Sequence, residues 1–507
     1  MLDRVYNWFS NDYPPLDGRL RFVLYALLFP FGKYQLLTVI PDQLLHCPQE
    51  LYHPEGLFAL IFGEKHSVFF MYQILIHLKL SFLVIWCFCI IGFGGRLALL
   101  LNAIFVFIFW GAHAASSGTG HFWHVPLFSF WILAFTLKHD AYSLDFHLQH
   151  KIPYYPFKIN DSPDLSAFGR KLILITISFI FLSAGISKIT LGGLTWFSGS
   201  SLYYYLQNLN IPRYYIGPMI HEFLLNNKGW VTVLSVLTIF FETAFISVVF
   251  LPKMRLPFVL CAWAFHIGIS LVMAPRYFPQ MICYIVIINW ESIFLYIIIR
   301  SKKHREIFME SPPFRNLFHS QKPKGKLLVC LIGLSYILIL SATTIIQKEW
   351  FPLTHVPMYS TAIDEDKMSN MDLTDFESLD GLKRVVKFCK THPVPDLMPF
   401  YMSQKYTVTK INRYSGDASN FKKEFISFFP EPTLWNTRLV NQMFLDISLA
   451  GDKDLRSKLI FRNTQKIFEA SMKKILQQSQ MHSSQYSYQL LYSLNKEEHL
   501  LLAVYND

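Results

Sequence analysis

Between residues 20 and 347 the chain repeatedly runs for about 20 residues with almost no charge, the length an α-helix needs to cross the hydrocarbon core of a bilayer. Nine such stretches can be marked out, at 20–40, 67–92, 98–115, 122–138, 170–188, 229–251, 256–275, 277–299 and 327–347. The first and fourth are the weakest, because Lys33 interrupts one and the other is near the minimum spanning length. A water-soluble protein of 507 residues has no use for so many runs, and the whole chain is 52% hydrophobic and only 16% charged. Residues 348–507 differ, reading as ordinary mixed polar sequence. Alternation there predicts strands near 404–414, 486–493 and 499–505, and helical spacing predicts helices near 380–391, 432–449 and 454–477. The expected architecture is an all-α multi-pass membrane bundle of nine spans over 1–347, followed by a small α/β domain over 348–507.

Basic residues in short loops set the expected orientation. The stretch 300–326 holds Arg300, Lys302, Lys303, Arg305, Arg315, Lys322, Lys324 and Lys326, which assigns it to the cytosol. Counting through nine spans puts Arg4, Arg19, Arg96, Lys151, Lys158, Lys253 and Arg255 on that side too, while the opposite loops carry few, such as Lys65, Arg213 and Arg276. The N-terminus is then cytosolic and the C-terminal domain lumenal or extracellular. Met1 to Asp17 lacks the basic start and apolar core of a secretory signal, so the first span is expected to direct insertion. The net charge of +11 is mostly a topology signal, and no motif supports nucleic-acid binding.

The cysteines divide along the same lines. Cys87, Cys89, Cys261, Cys283 and Cys330 fall inside spans and read as packing residues. Cys47 lies in the first non-cytosolic loop and Cys389 in the C-terminal domain, both where disulfides persist. A Cys47–Cys389 disulfide is expected, with two free thiols as the alternative. The sequon Asn160-Asp161-Ser162 falls in a cytosolic loop and should stay unmodified.

An ionisable group inside a bilayer is costly, so each is a candidate site. Here these are His77, Lys79, His113, His121, His124, Lys188, Glu242, His266 and Glu291. For any one of them the plainer reading is a side chain that reaches interfacial water or ties two helices together. Lys188 stands apart because of its neighbours. It ends the fifth span in Ser183-Ala184-Gly185-Ile186-Ser187-Lys188, where small residues allow close helix approach, and Gly192-Gly193-Leu194-Thr195-Trp196-Phe197-Ser198-Gly199 follows. Glycines permit a tight return, and Trp196 suits the membrane interface, so the segment reads as a re-entrant cap over a pocket. Apolar surroundings disfavour the charged form of an amine, and the neutral form is a base. With His121 at the outer start of the fourth span, Glu242 within the sixth and His266 within the seventh, a histidine, a lysine and an acid are expected to converge in the outer half of the bilayer. His113, His121 and His124 are close in sequence but make no recognised metal motif, so no metal is expected.

Several segments together carry a family resemblance. AGISKITLGGLTWFSG, the earlier SGTGHFWHVPLFSFWILAFTLKHDAYSLD, the FET of the sixth span, CAWAFHIGISLVM of the seventh and EWFPLTHVPMYS after the ninth resemble, in order and spacing, the horizontally transferred transmembrane (HTTM) domain shared with vitamin K-dependent gamma-carboxylase. The resemblance covers about residues 15–360 and extends through VVKFCKTHPVPDLMPFYMSQKYTVTKINRY, where Cys389, with Cys47, matches a disulfide-bonded pair of the carboxylase. It implies a vitamin K hydroquinone, or another prenylated quinol, used with O2 and CO2 to carboxylate glutamate side chains of a lumenal or secreted protein substrate. Carried over, Lys188 is the general base and His121 hydrogen-bonds the quinol, with His266 lining the pocket that Glu242 and Trp196 also border. An apolar membrane pocket would bind the prenyl tail and shield a strong base from water. The residence implied is the endoplasmic reticulum membrane in a eukaryote and the plasma membrane otherwise.

Two departures from the family pattern motivate other readings. Gly120 stands where the carboxylase has an asparagine, so one polar contact to the quinol is missing, and the region 348–507 is too short for the family's whole substrate-docking machinery. A non-catalytic membrane scaffold or lipid-binding protein is therefore the alternative, and a quinone oxidoreductase a third reading. Transport ranks low, because neither internal repeats nor paired broken helices are evident.

Overall fold

In the computed structural model, the described residues are 2–10, 18–41, 56–63, 67–117, 123–137, 143–149, 165–208, 216–273, 277–288, 326–346, 406–412, 418–420, 486–493 and 499–506, with a few isolated positions. The helices, in chain order, are α1 (Leu2–Ser10), α2 (Gly18–Tyr34), α3 (Gly56–Phe62), α4 (Val68–Ile91), α5 (Gly95–Ser117), α6 (His124–Thr136), α7 (Leu144–Gln149), α8 (Ser166–Ser187), α9 (Leu194–Phe197), α10 (Ser200–Asn208), α11 (Gly217–Asn226), α12 (Lys228–Ala244), α13 (Arg255–Met273), α14 (Phe278–Cys283) and α15 (Lys326–Ile346). Two are extended by π-helical turns, α2 through Gln35–Val39 and α8 through Lys188–Gly192, and two by 3-10 turns, α12 through Phe245–Val249 and α14 through Tyr284–Ile287.

Seven of these helices are long and apolar enough to cross a membrane: Gly18–Val39, Val68–Ile91, Gly95–Ala115, Ser166–Thr190, Lys228–Val249, Pro252–Val272 and Lys326–Ile345. The chain is a multi-pass membrane protein. The fourth expected span is shorter than the sequence suggested. At 13 residues α6 rises only about 20 Å against a hydrocarbon core of about 30 Å. It is buried almost all round against α5 and α8, so it is apolar because it is internal. The eighth is described as Phe278–Ile287, and most of its expected second half lies outside the described residues.

Buried cations hold one end of the bundle together. The last carbonyls of a helix have no partner of their own, and in a bilayer none can be left to water. Arg21, in the first turn of α2, donates from Nη1 to the carbonyls of Cys89 and, at 2.7 Å, Ile90, at the end of α4. Arg170, in the first turns of α8, donates to the Val286 carbonyl at 2.6 Å and to that of Ile288, at the end of the Tyr284–Ile287 turn. Lys171 reaches the Val249 carbonyl at 3.0 Å, and Arg255 the Val248 carbonyl at 3.2 Å. A positive charge on a helix C-terminus also complements its dipole. Each bond joins the start of one helix to the finish of another, so α2, α8 and α13 run one way and α4, α12 and α14 the other. Lys326 pairs with Asp3, and Lys171 sits 4.3 Å over the Trp8 ring, which draws α1 and the start of α15 to the same end. Arg255 and Lys326, both assigned to one side from the loops, are thus together.

Beyond the bundle, the strands β1 (Tyr406–Asn412), β2 (Ala418–Asn420), β3 (Tyr486–Ser493) and β4 (His499–Asn506) make an antiparallel sheet in the order β2-β1-β3-β4. In β3, Tyr488 and Leu490 are buried while Ser487 and Gln489, which alternate with them, are half-buried, the period-two pattern of a strand with one covered face. The helices expected at 380–391 and 432–449 lie outside the described residues, while of the one expected at 454–477 Gln465, Phe468, Glu469 and Met472 are described, and are helical.

Candidate functional site

The other end of the bundle is built around Lys188. Helix α8 approaches α12 so closely at Gly185 that a Cβ there would lie 2.7 Å from Thr243 Cγ2 and 3.1 Å from Glu242 Cβ. Glycine at this position therefore sets the crossing that brings Lys188 to Glu242. One turn on, Lys188 begins the π-helical segment Lys188–Gly192. Its Nζ donates to Glu242 Oε1 at 3.0 Å and lies 2.9 Å from Oε2, so the ammonium faces both carboxylate oxygens. Both residues are only 4% exposed.

The chain then doubles back over this pair. Gly193 and Gly199 take positive φ values of 54° and 80°, and a Cβ on Gly199 would meet the Thr232 backbone at 2.6–2.8 Å. Hydroxyl groups of α12 fasten the turn, Thr232 Oγ1 donating to the Ser198 carbonyl at 2.7 Å and Ser235 Oγ to the Trp196 carbonyl at 2.5 Å. Within the turn, Thr195 Oγ1 donates to the Gly192 carbonyl at 2.6 Å. The sequence suggested Trp196 as an interfacial anchor, but the structure buries it, with Lys188 Nζ 5.3 Å from its ring centre. Leu194 and Phe197 are the side chains the turn exposes. Turning the indole inward gives the amine an aromatic face as well as a carboxylate.

His266 belongs to a second polar group. Its Nε2 shares a 2.7 Å hydrogen bond with the Tyr284 hydroxyl, which also accepts from Gln280 Nε2 at 2.9 Å. The His266 ring is buried between Phe181 and Tyr277, and its Nδ1 has no partner. Phe181, two turns before Lys188 on α8, is the packing link between the groups, touching Phe241, Phe245, His266 and Tyr284. No hydrogen bond or ion pair of the described residues joins His266 to Lys188. Lys188, Glu242 and Trp196 thus come together, His266 stands apart from them, and His121 lies outside the described residues, as do Cys47, Cys389 and Glu291. His113 stacks on Trp110 at 4.5 Å, and His124 meets the same ring edge-on at 6.4 Å. His77 and Lys79 are exposed on α4.

Sequence reasoning missed Tyr284, Gln280 and Ser187. Gln280 alone carried a signal, as a lone amide in an apolar segment. Ser187 is buried beside Lys188 with no partner for its Oγ.

Chemically, the arrangement sets an amine against a carboxylate in apolar surroundings, beneath an aromatic ring. Ser187, next to Lys188 in the chain, is a further buried hydroxyl without a hydrogen-bond partner. No family model, curated protein or solved structure matches this chain.

Proposed function

We propose that the chain is a membrane-embedded, quinol-dependent enzyme of the carboxylase type, with Lys188 as general base. The observation that carries the reading is the Lys188–Glu242 pair, buried beneath Trp196. Glu242 takes the proton of Lys188, leaving the neutral amine to accept one from a bound hydroxyl. Trp196 keeps water from the amine, and Ser187 Oγ and Glu242 Oε2 orient the hydroxyl. These groups fit a prenylated quinol, which when bound would supply the reducing equivalents for reaction with O2. His121, by the resemblance of its segment, is the second contact to the quinol, and His266 borders the site from the far side of Phe181.

The rest of the proposal follows the loop charges and the same resemblance. All nine apolar segments cross or enter the bilayer, the end marked by Arg170 faces the cytosol, and the α/β region 348–507 is lumenal or extracellular, tied to the bundle by Cys47–Cys389. Protein substrates reach the site from that side. Purified full-length protein given vitamin K hydroquinone, O2, labelled bicarbonate and a glutamyl peptide should incorporate label, and Lys188→Met should lower incorporation at least about a hundredfold. Absence of both label and epoxide would defeat the reading, and quinol oxidation without label would make the chain an oxidoreductase.

A scaffold reading has one observation in its favour: an amine and a carboxylate already satisfied by each other can serve as a clasp between α8 and α12. In that case Lys188→Met with Glu242→Leu preserves every cellular phenotype, which the enzyme reading forbids.

A further inference from the structure

Helices α12 and α13 are consecutive yet diverge. They approach closely where the turn Phe245–Val249 joins them, with Phe241 stacked on Phe258 at 6.0 Å and near Phe265 at 5.4 Å. Toward the Lys188 end, α11 packs on both of them instead. It fills the gap with Leu224 and Ile220, which meet Val231 and Ile239 of α12 and Ile269 and Val272 of α13, with Trp196 in the same cluster. This apolar cluster is separate from the main core of the bundle. The opposite side of α11 exposes Met219 and Phe223, next to Ile216, with Glu222 exposed between them, the mixed face of a helix lying at the edge of the acyl chains.

The attachment of α11 is light. It is a 10-residue helix that begins at Gly217-Pro218 and ends at Asn226-Asn227. Among the described residues, its polar tie to α13 is a hydrogen bond, 3.0 Å between His221 Nδ1 and the Val272 carbonyl. A helix of this length has little stability of its own. Behind it, through the Trp196 cluster, lies the Lys188–Glu242 pair.

We propose that the gap between α12 and α13 is a binding cleft for the apolar tail of a membrane-dissolved amphiphile, and that α11 is its displaceable plug. Ile220 and Leu224 occupy the cleft in this structure, and a tail takes their place when α11 swings toward the lipid. The head group then arrives at Lys188 from the side, without crossing water. The inference rests on reading the Lys188–Glu242 pair as a ligand site, but it is tested by access and not by turnover.

Full-length protein in nanodiscs, carrying Ile239→Cys, is exposed to a maleimide borne on a long acyl chain, and modification is followed peptide by peptide by mass spectrometry. A second protein carries Val106→Cys, fully buried in the main core, as the comparison. Ile239→Cys should be modified faster than Val106→Cys. His221→Ala should speed the first about fivefold, as loss of one hydrogen bond allows, and leave the second unchanged. Equal slow modification at both sites, unmoved by His221→Ala, would make α11 a fixed wall. Acceleration at both sites would mean general loosening and overturn the proposal, as would faster modification by a charged, water-soluble maleimide. Rapid lipid-borne modification in a protein with no quinol turnover would leave the cleft standing and remove the chemistry.

Discussion

The two ends of the bundle satisfy the same requirement by opposite means. At one end Arg21, Arg170, Lys171 and Arg255 donate directly to the last carbonyls of α4, α12 and α14, fixing antiparallel neighbours in place with charge-assisted bonds. At the other, the only buried cation described at the bundle's turn is Lys188, and it spends its charge on another side chain. There the backbone is irregular: a π-helical turn, two glycines with positive φ, and the short helices α9, α10 and α11. The first end is built to stay shut. The second places a buried ion pair beneath Trp196, beside the short helix α11.

Three substitutions would break or sharpen this contrast. The largest effect is expected from Glu242→Ala, which strands the Lys188 amine among apolar groups and should cost about 3–5 kcal/mol, measured by unfolding in mixed detergent micelles. Lys188→Met combined with Glu242→Leu should recover most of that loss. A cost below about 1 kcal/mol for Glu242→Ala would mean that water reaches the pair. Next comes Arg170→Leu, which removes charged bonds to two carbonyls and should cost about 3 kcal/mol. If the ends are independent, it should leave the modification rate of Ile239→Cys unaltered. The smallest is Gly199→Val, strained by its φ of 80° and by its approach to the Thr232 backbone, at about 2 kcal/mol. Its damage should stay in the turn over Lys188, seen as faster hydrogen exchange from Gly193 to Tyr203 with α8 unaffected.

The membrane character of the chain was legible because length and apolarity are local properties of a segment. Lys188 was legible for a similar reason, since a lysine between small residues and a glycine-rich stretch is anomalous within a dozen positions. Its partner was harder to read. Glu242 is 54 residues away, and the pairing depends on a helix crossing that Gly185 permits. The inward role of Arg170 was not read from the sequence at all. Basic residues at the starts of spans look like topology signals, and nothing local says that a guanidinium turns inward to reach carbonyls more than a hundred residues away. Trp196 went wrong in the same way, because interfacial preference describes tryptophans in general and not one with an ammonium beneath it. The thirteen-residue α6 shows the limit of hydropathy itself, since a segment shielded by protein on all sides has the same composition as one shielded by lipid.

A π-helical turn holds one residue more than the α-helical turn it replaces. The stretch that starts at Lys188 therefore shifts the phase of all that comes after it by about 100° relative to α8. Deleting Ile189 would remove that offset and point the indole that now covers the amine toward a different side of the bundle. The surplus residue acts as a spacer in angle, letting one stretch of chain supply both the amine and the ring that covers it.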